Sequence, residues 1–175
     1  MTVTANGTAD TAEQRIGIRT IQVSSETGLL LNGQPRTMKG GCIHHDLGIL
    51  GAADHAAAER RRIRLMKESG FDAIRAAHNP FGPAFLDACD ELGMLVVEEA
   101  FDEWVMGRTS FGLHVTFEQC WEKDLEDMIT RDYNHPCIVM WSTGNEVEER
   151  DGTADGFAWA KRLADKVRSL DASRP

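Results

Sequence analysis

The sequence is most informative over residues 134–146, which spell Asn-His-Pro-Cys-Ile-Val-Met-Trp-Ser-Thr-Gly-Asn-Glu. An Asn-His-Pro turn signal leads into an apolar run, and this pattern is typical of a strand buried on both faces. The run ends in Gly-Asn-Glu, which places the carboxylate of Glu146 just beyond the strand. In a parallel α/β barrel this end carries the catalytic side chains, because the loops shape the pocket while the strand fixes the geometry.

The dipeptide Asn145-Glu146 suits acid/base chemistry on an oxygen leaving group. A glutamate here can give a proton to the departing oxygen, and the neighbouring amide can hold a substrate hydroxyl. The residues alone leave a second interpretation open. Glu146 also begins the acidic run Glu-Val-Glu-Glu at 146–149, which could be a solvated loop.

Composition indicates an ordinary globular chain. It has 175 residues, a formal net charge of −9 at pH 7 and 42% hydrophobic residues, enough for one real core. The acidic balance argues against nucleic acid and anionic membranes as partners. No apolar stretch approaches the roughly 20 residues of a membrane span. The start shows no signal-peptide pattern, and the four cysteines are scattered, so we expect reduced thiols in a cytoplasmic protein.

Strand and helix patterns alternate from residue 39 onward. Four predicted strands lie at 39–43, 71–75, 94–99 and 138–141, and the helices that follow them lie at 54–69, 82–92, 117–133 and 153–170. Asp54 is expected to cap the first helix, and Gly70 to end it. Four β/α units are half of a (β/α)₈ barrel, which typically needs about 250 residues. The sequence therefore predicts an α/β fold, the first half of such a barrel.

Two motifs resemble those of a known family. Residues 131–136, Arg-Asp-Tyr-Asn-His-Pro, followed by Trp-Ser-Thr-Gly-Asn-Glu at 141–146, resemble the acid/base signature of glycoside hydrolase family 2, the β-galactosidases, β-glucuronidases and β-mannosidases. Residues 75–80, Arg-Ala-Ala-His-Asn-Pro, resemble the family's Arg-x-x-His-x-Pro motif. The resemblance implies that Glu146 is the general acid/base and that Asn145 binds the sugar 2-hydroxyl. It also implies that Arg75 and His78 face the sugar.

The start of the chain precedes the barrel pattern. Residues 1–15 show no clear period and are interpreted as a tail, whereas the alternation over 16–23 predicts a short strand. Asn32-Gly33 predicts a hairpin within 28–38. In the family, such a hairpin marks the exit from a β-sandwich. We therefore assign 1–27 to a tail and the end of a preceding β-sandwich or linker, and 28–175 to a partial catalytic barrel.

Further residues beyond the predicted strands are candidates for substrate contact. His-His-Asp at 44–46 and Phe-Asp-Glu-Trp at 101–104 are similar to segments of family members and favour a β-galactosidase-like enzyme. We assign substrate contacts to His45, Asp46 and Asp102, and to Trp141 as a possible pocket floor. Of Glu98 and Glu99, one is expected to face inward and pair with Arg75. No metal or cofactor is predicted.

The resemblance implies a retaining β-galactosidase-like glycosidase of carbohydrate metabolism, with a carbohydrate as its substrate. In the family the nucleophile lies on a later strand, so we expect an incomplete fragment that self-associates through its open barrel edges. A first alternative is a non-catalytic carbohydrate-binding half-barrel that keeps Asn145, Arg75 and His78. A second is a metal-dependent hydrolase that uses His44, His78 and Asp102.

Overall fold

The computed structural model describes residues 2–5, 8–11, 13 and 15–175. The α-helices in these residues are α1 (Ala56–Glu68), α2 (Pro83–Leu92), α3 (Phe117–Asp132) and α4 (Gly156–Leu170). The strands are β1 (Thr2–Ala5), β2 (Thr8–Thr11), β3 (Ile21–Ser24), β4 (Gly28–Leu31), β5 (Gln34–Pro35), β6 (Gly40–Ile43), β7 (Ala73–Ala76), β8 (Leu95–Glu99) and β9 (Ile138–Ser142).

The largest sheet has four parallel strands in the order β6-β7-β8-β9, and one α-helix follows each strand. Sequential parallel strands joined by helices form the repeating unit of a (β/α)₈ barrel. The predicted α/β fold, with four β/α units as the first half of such a barrel, is confirmed.

Each face of the sheet has its own apolar cluster. The larger cluster lies between the strands and the helices, with fully buried Ile74, Val96 and Ile138 on the sheet side. A smaller cluster of Ala73, Leu95 and Val139 lies on the opposite face, which we call the lumen face. These three residues lie near the amino ends of their strands and pack against three partly buried residues of the preceding segment, Ile21, Leu31 and Met38. The preceding hairpin therefore closes the amino end of the lumen and leaves the carboxyl end for a site.

Strand β9 contains a β-bulge. Val96 pairs with Ile138, but the next residue, Val97, pairs with Met140, so Val139 is an extra residue in β9. Strict alternation from Ile138, which packs on the helix side, would turn Trp141 towards the lumen. The extra residue shifts the alternation of side chains by one position. Trp141 therefore packs in the helix-side cluster, and Ser142 reaches the lumen face.

Two predictions for the start of the chain are wrong in detail. Residues Thr2–Ala5 and Thr8–Thr11 pair as an antiparallel hairpin within the region interpreted as a tail, in keeping with their content of β-branched threonine. The strand predicted over 16–23 begins only at Ile21. Before it, Arg19 donates to the carbonyl oxygens of Pro136 (2.7 Å) and Ile138 (2.5 Å), so this segment packs against the start of β9.

The predicted hairpin over 28–38 is confirmed. β4 pairs with β5 across Asn32 and Gly33, whose φ angles are 52° and 73°. Both values lie in the left-handed region that Asn and Gly tolerate better than other residues, as a tight hairpin turn requires.

The cap predicted for α1 lies on a different helix. His55 occupies the N-cap position of α1, whereas Asp54 accepts a hydrogen bond from the backbone N–H of Ala84 in the first turn of α2 (3.2 Å). Gly82 makes this contact possible, since a Cβ there would lie 2.2 Å from Asp54 Oδ2. Asp54 therefore ties the loop before α1 to the start of α2. The end of α1 is as predicted, with Gly70 at a φ of 91°.

Among the described residues, the helices are too short or too polar to cross a membrane.

Candidate active site

Glu99 is the centre of a hydrogen-bonded cluster at the carboxyl end of the sheet. Its Oε2 accepts hydrogen bonds from Arg75 Nε (3.0 Å) and Nη2 (2.7 Å) and from Ser142 Oγ (2.7 Å). Its Oε1 lies 2.7 Å from His78 Nδ1. The Glu99 side chain is fully buried. The prediction that one of the two glutamates of β8 faces inward and pairs with Arg75 is confirmed, and that glutamate is Glu99.

Asn145 is fixed from both sides beside this cluster. Its Oδ1 accepts a hydrogen bond from Arg75 Nη2 (2.9 Å), and its Nδ2 donates to Asp102 Oδ1 (3.0 Å). Because a guanidinium only donates and a carboxylate only accepts, these partners define which end of the amide is oxygen and which is nitrogen. The structure thus brings Asn145, Arg75 and Asp102 into one network, close to His78 through Glu99. Their contact with sugar stays a prediction.

Glu146 projects from the same turn into an open groove. Its backbone has a φ of 43°, a left-handed conformation that costs energy for a non-glycine residue and is enriched at functional sites. The side chain is 80% exposed, and its Oε2 lies 3.7 Å from Arg108 Nη1. The groove has a volume of about 360 Å³, and its lining includes His78, Asp102, Arg108, Asn145 and Glu146. The predicted acid/base is therefore accessible to a ligand.

One wall of the groove is a loop that Glu103 anchors. The carboxylate of Glu103 accepts hydrogen bonds from the backbone N–H groups of Arg108 (2.9 Å) and His114 (3.2 Å), and it lies 3.0 Å from His114 Nδ1. Burial alone would raise the pKa of Glu103, but these hydrogen bonds outweigh it, and the pKa lies below the usual value. Glu103 therefore holds the loop as an ionised carboxylate at neutral pH. No local sequence pattern indicates this anchor or the position of Arg108.

The His-His-Asp segment is oriented differently from the prediction. His44, not His45, lies against His78, with ring centroids 4.9 Å apart. His45 stacks on the buried ring of Phe81 (3.9 Å), on the helix side of the sheet. Asp46 accepts a hydrogen bond from the backbone N–H of Gly48 within its own turn (2.8 Å). The substrate contacts predicted for His45 and Asp46 do not fit these positions, and His44 replaces His45 as a candidate.

Trp141 also lies outside the groove. It is 6% exposed, and its indole N–H donates to Asp171 Oδ2 (2.9 Å) near the end of α4. The bulge at Val139 turns this side chain to the helix side. The pocket-floor role predicted for Trp141 therefore does not fit the structure.

Glu98 and Glu99 point to opposite faces of β8. Glu98 lies among the helices, where its Oε1 accepts a hydrogen bond from the backbone N–H of Phe81 (2.9 Å). Its Oε2 has no hydrogen-bond partner among the described residues. Burial is the dominant effect on Glu98 and raises its pKa to about 8, against the Phe81 hydrogen bond, which lowers it. Glu98 is therefore a protonated core residue at neutral pH.

Metal-ligating side chains cluster at the other end of the sheet. In the described part of the chain, the one group of three whose ligand atoms lie within 4.8 Å of one another is Asp90, His135 and Cys137. The set His44, His78 and Asp102, which the alternative of a metal-dependent hydrolase would use, is not such a group. Asp90 Oδ2 lies 2.7 Å from His135 Nδ1, and Oδ1 accepts the N–H of Cys137 (2.8 Å). Burial raises the pKa of the Cys137 thiol well above its usual value, which disfavours the thiolate that binds metal. We interpret this group as a structural tie between α2 and β9.

Replacing Arg75 with methionine is expected to lower the free energy of unfolding by about 2 kcal/mol. The substitution leaves the buried Glu99 carboxylate without its guanidinium partner. Breaking a buried ion pair costs several kcal/mol, and the cost is lower here because 35% of the Arg75 side chain is exposed. Urea denaturation followed by circular dichroism at pH 7 measures the loss. Arg64→Met removes a surface pair with Glu68 and should cost under about 0.5 kcal/mol. Equal stability of Arg75→Met and Arg64→Met would contradict the central role of Glu99.

Comparison with known proteins identifies the family of the chain. The family model described as glycosyl hydrolases family 2, TIM barrel domain, matches residues 21–175. A beta-galactosidase from Bacteroides ovatus, BoGH2A, is 45% identical over 142 residues, which are 80% of this chain and 17% of that protein. A putative beta-glucuronidase from Formosa agariphila is 39% identical over 147 residues, which are 84% of this chain and 14% of that protein.

Solved structures show the same likeness. A family 2 member from Bacteroides cellulosilyticus has a TM-score of 0.88 at 48% identity, covering 91% of this chain and 20% of its own. The beta-galacturonidase from Eisenbergiella tayi, solved with galacturonate, has a TM-score of 0.82 at 33% identity. The match covers 93% of this chain and 28% of that protein's chain. The chain thus spans well under a third of the length of these four relatives. It belongs to glycosyl hydrolase family 2, of whose TIM barrel domain it forms a part.

Proposed function

We propose that this chain supplies the acid/base side of a retaining β-glycosidase, with Glu146 as the general acid/base. The observation that carries the proposal is the turn after β9. It holds Asn145 rigidly between Arg75 and Asp102 and directs the adjacent Glu146 into the groove. An immobile amide next to an accessible carboxyl group is the arrangement needed to fix a sugar hydroxyl while a proton moves to the neighbouring glycosidic oxygen.

The reaction follows from the chemistry of retaining glycosidases. A nucleophilic carboxylate, which the family resemblance assigns to a later barrel strand, attacks the anomeric carbon while Glu146 protonates the leaving oxygen. In the second step the ionised Glu146 takes a proton from water, and that water displaces the enzyme carboxylate from the sugar. In such enzymes the two carboxyl groups lie about 5–5.5 Å apart. Glu99 is a poor candidate for the nucleophile, since its oxygens already contact Arg75, His78 and Ser142.

A neutral β-galactoside is the substrate we propose. The Bacteroides ovatus relative is named a beta-galactosidase, which supports this choice. The charges of the groove support it too. The guanidinium groups of Arg75 and Arg108 are already paired with Glu99 and Asp102, so neither is free to bind the carboxylate of a uronic acid. A uronic acid would therefore place its charge close to Asp102, Glu103 and Glu146.

A barrel completed by a relative tests this function. The matching 142-residue segment of the Bacteroides ovatus protein is replaced by the corresponding residues of this chain, and we call this hybrid the completed barrel. Nitrophenyl β-galactoside, β-glucuronide and β-mannoside are assayed with the completed barrel and with the chain alone. We expect the completed barrel to hydrolyse the β-galactoside fastest and to release the β-anomer first, as seen by proton NMR. First release of the α-anomer, or a folded hybrid without activity, would refute the proposal.

A further inference from the structure

Arg108 reaches the groove from the loop that Glu103 anchors. Its Nη2 donates to the backbone oxygen of Asp102 (2.9 Å) and also to the Asp102 carboxylate, while its Nη1 lies 3.7 Å from Glu146 Oε2. One planar guanidinium therefore spans Asp102 and Glu146. Arginine suits this role because its donors are fixed in a fork, whereas a lysine ammonium presents a single point of charge.

Asp102 connects Arg108 to Asn145. The same oxygen, Oδ1, accepts hydrogen bonds from Arg108 and from Asn145 Nδ2. The Asp102 side chain is 51% exposed, so without Arg108 it would be free to turn into solvent. The Asn145 amide would then keep only its contact with Arg75. Loss of Arg108 thus removes one of the two constraints on the amide.

The loop presents Arg108 in a fixed position. The backbone N–H of Arg108 is bonded to the buried Glu103, as is that of His114 on the other side of the loop. Gly112 lies so close to Glu103 that a Cβ would be 1.7 Å from Oε1. The backbone is therefore held before any ligand binds, and little entropy is lost when the guanidinium engages its partners.

We propose that Arg108 is a positioning residue that orients the amide of Asn145 through Asp102 and holds Glu146 at the edge of the groove. Its importance for turnover rests on the proposed glycosidase function, but the orientation of the amide does not. The placement of Arg108 can therefore be tested without sugar.

The test follows the side-chain amide of Asn145 by NMR in the ¹⁵N-labelled 175-residue chain. The chain has five asparagines, so the Asn145 signals can be assigned from their loss in Asn145→Ser. In Arg108→Met we expect the Asn145 Nδ2 protons to exchange with water about tenfold faster, because losing a charge-assisted hydrogen bond changes an equilibrium constant by about that factor. Arg108→Lys, which keeps the charge, should restore part of the protection.

Two references separate positioning from loop collapse. The indole N–H of Trp104 donates to the backbone oxygen of Thr143 (2.8 Å) and should keep its signal in Arg108→Met. Arg64→Met makes the same charge change on α1 and should leave Asn145 unaffected. Unchanged Asn145 exchange in Arg108→Met would overturn the proposal, and so would joint loss of protection at Asn145 and Trp104. Inactivity of the completed barrel would instead count against the glycosidase function alone.

Discussion

Replacing Glu146 with alanine is expected to lower the rate of hydrolysis of an alkyl β-galactoside by the completed barrel about 10²- to 10⁴-fold. This is the usual contribution of a positioned general acid or base, and an alkoxide leaving group depends on protonation. A dinitrophenyl galactoside should lose much less in its first step, since its phenolate leaves without a proton. Steady-state kinetics on both substrates measure the difference.

Azide provides the control that identifies the role. Without an acid/base residue, water attacks the glycosyl-enzyme slowly because no general base removes its proton. Azide is a nucleophile that needs no general base. Azide should therefore restore turnover of the dinitrophenyl substrate by Glu146→Ala and yield the β-galactosyl azide. Glu148→Ala removes an exposed carboxylate two residues away and should leave the rates unchanged. Equal losses for the two substrates without azide rescue would contradict the acid/base assignment.

Replacing Glu98 with glutamine is expected to stabilise the protein at neutral pH by about 3 kcal/mol and to change little near pH 4. The folded-state pKa of Glu98 is about 8, against the ordinary 4.5 of a solvated glutamate. Between these values the folded protein holds a proton that the unfolded chain has released, so the free energy of unfolding falls as pH rises, by about 1.4 kcal/mol per pH unit. Glutamine is neutral at every pH and removes this penalty.

Urea denaturation from pH 4 to pH 8 measures the effect as a difference between variant and wild type. The comparison with wild type is needed because the stability that His135 contributes also changes with pH. Its hydrogen bond with Asp90 raises its pKa, so it too contributes stability that is lost as pH rises. Glu122→Gln, at an exposed position of α3, serves as the control. Parallel pH curves for wild type and Glu98→Gln would show that Glu98 is ionised in the folded state.

Much of the fold could be predicted because it depends on patterns within single segments. The apolar run of β9, the helical spacing of α1 to α4 and the Asn-Gly turn each act locally. Consequently the four β/α units were correct, and so was the position of Glu146 after the fourth strand. Asn145, Arg75 and His78 also converge as the motifs indicated, because parallel strands bring their carboxyl ends to one edge.

The errors arose where a side chain's direction depends on its partners. For the first barrel strand, the sequence contained one signal that decides which histidine faces the lumen. Ile43 is apolar and packs against the helix-side cluster, so alternation places His44, not His45, at the lumen face. No such signal exists for Arg108, whose position depends on Glu103 and Asp102 across a loop. The prediction that Asp54 caps α1 was wrong, because the space beside Gly82 lets this carboxylate accept a hydrogen bond from the start of α2.

The bulge at Val139 makes the site more sensitive to the register of β9 than to residue identity. Exchanging Val139 for isoleucine keeps the register of β9, and such a swap between similar apolar residues is normally tolerated. Drawing Val139 into the regular ladder opposite Val97 would instead turn the Trp141 indole into the lumen and Ser142 away from Glu99. Deleting Val139 would remove the extra residue and leave both side chains on their present faces. Relatives can therefore lack this residue and keep the turn that presents Glu146, whereas a strand of unchanged length without the bulge would lose it.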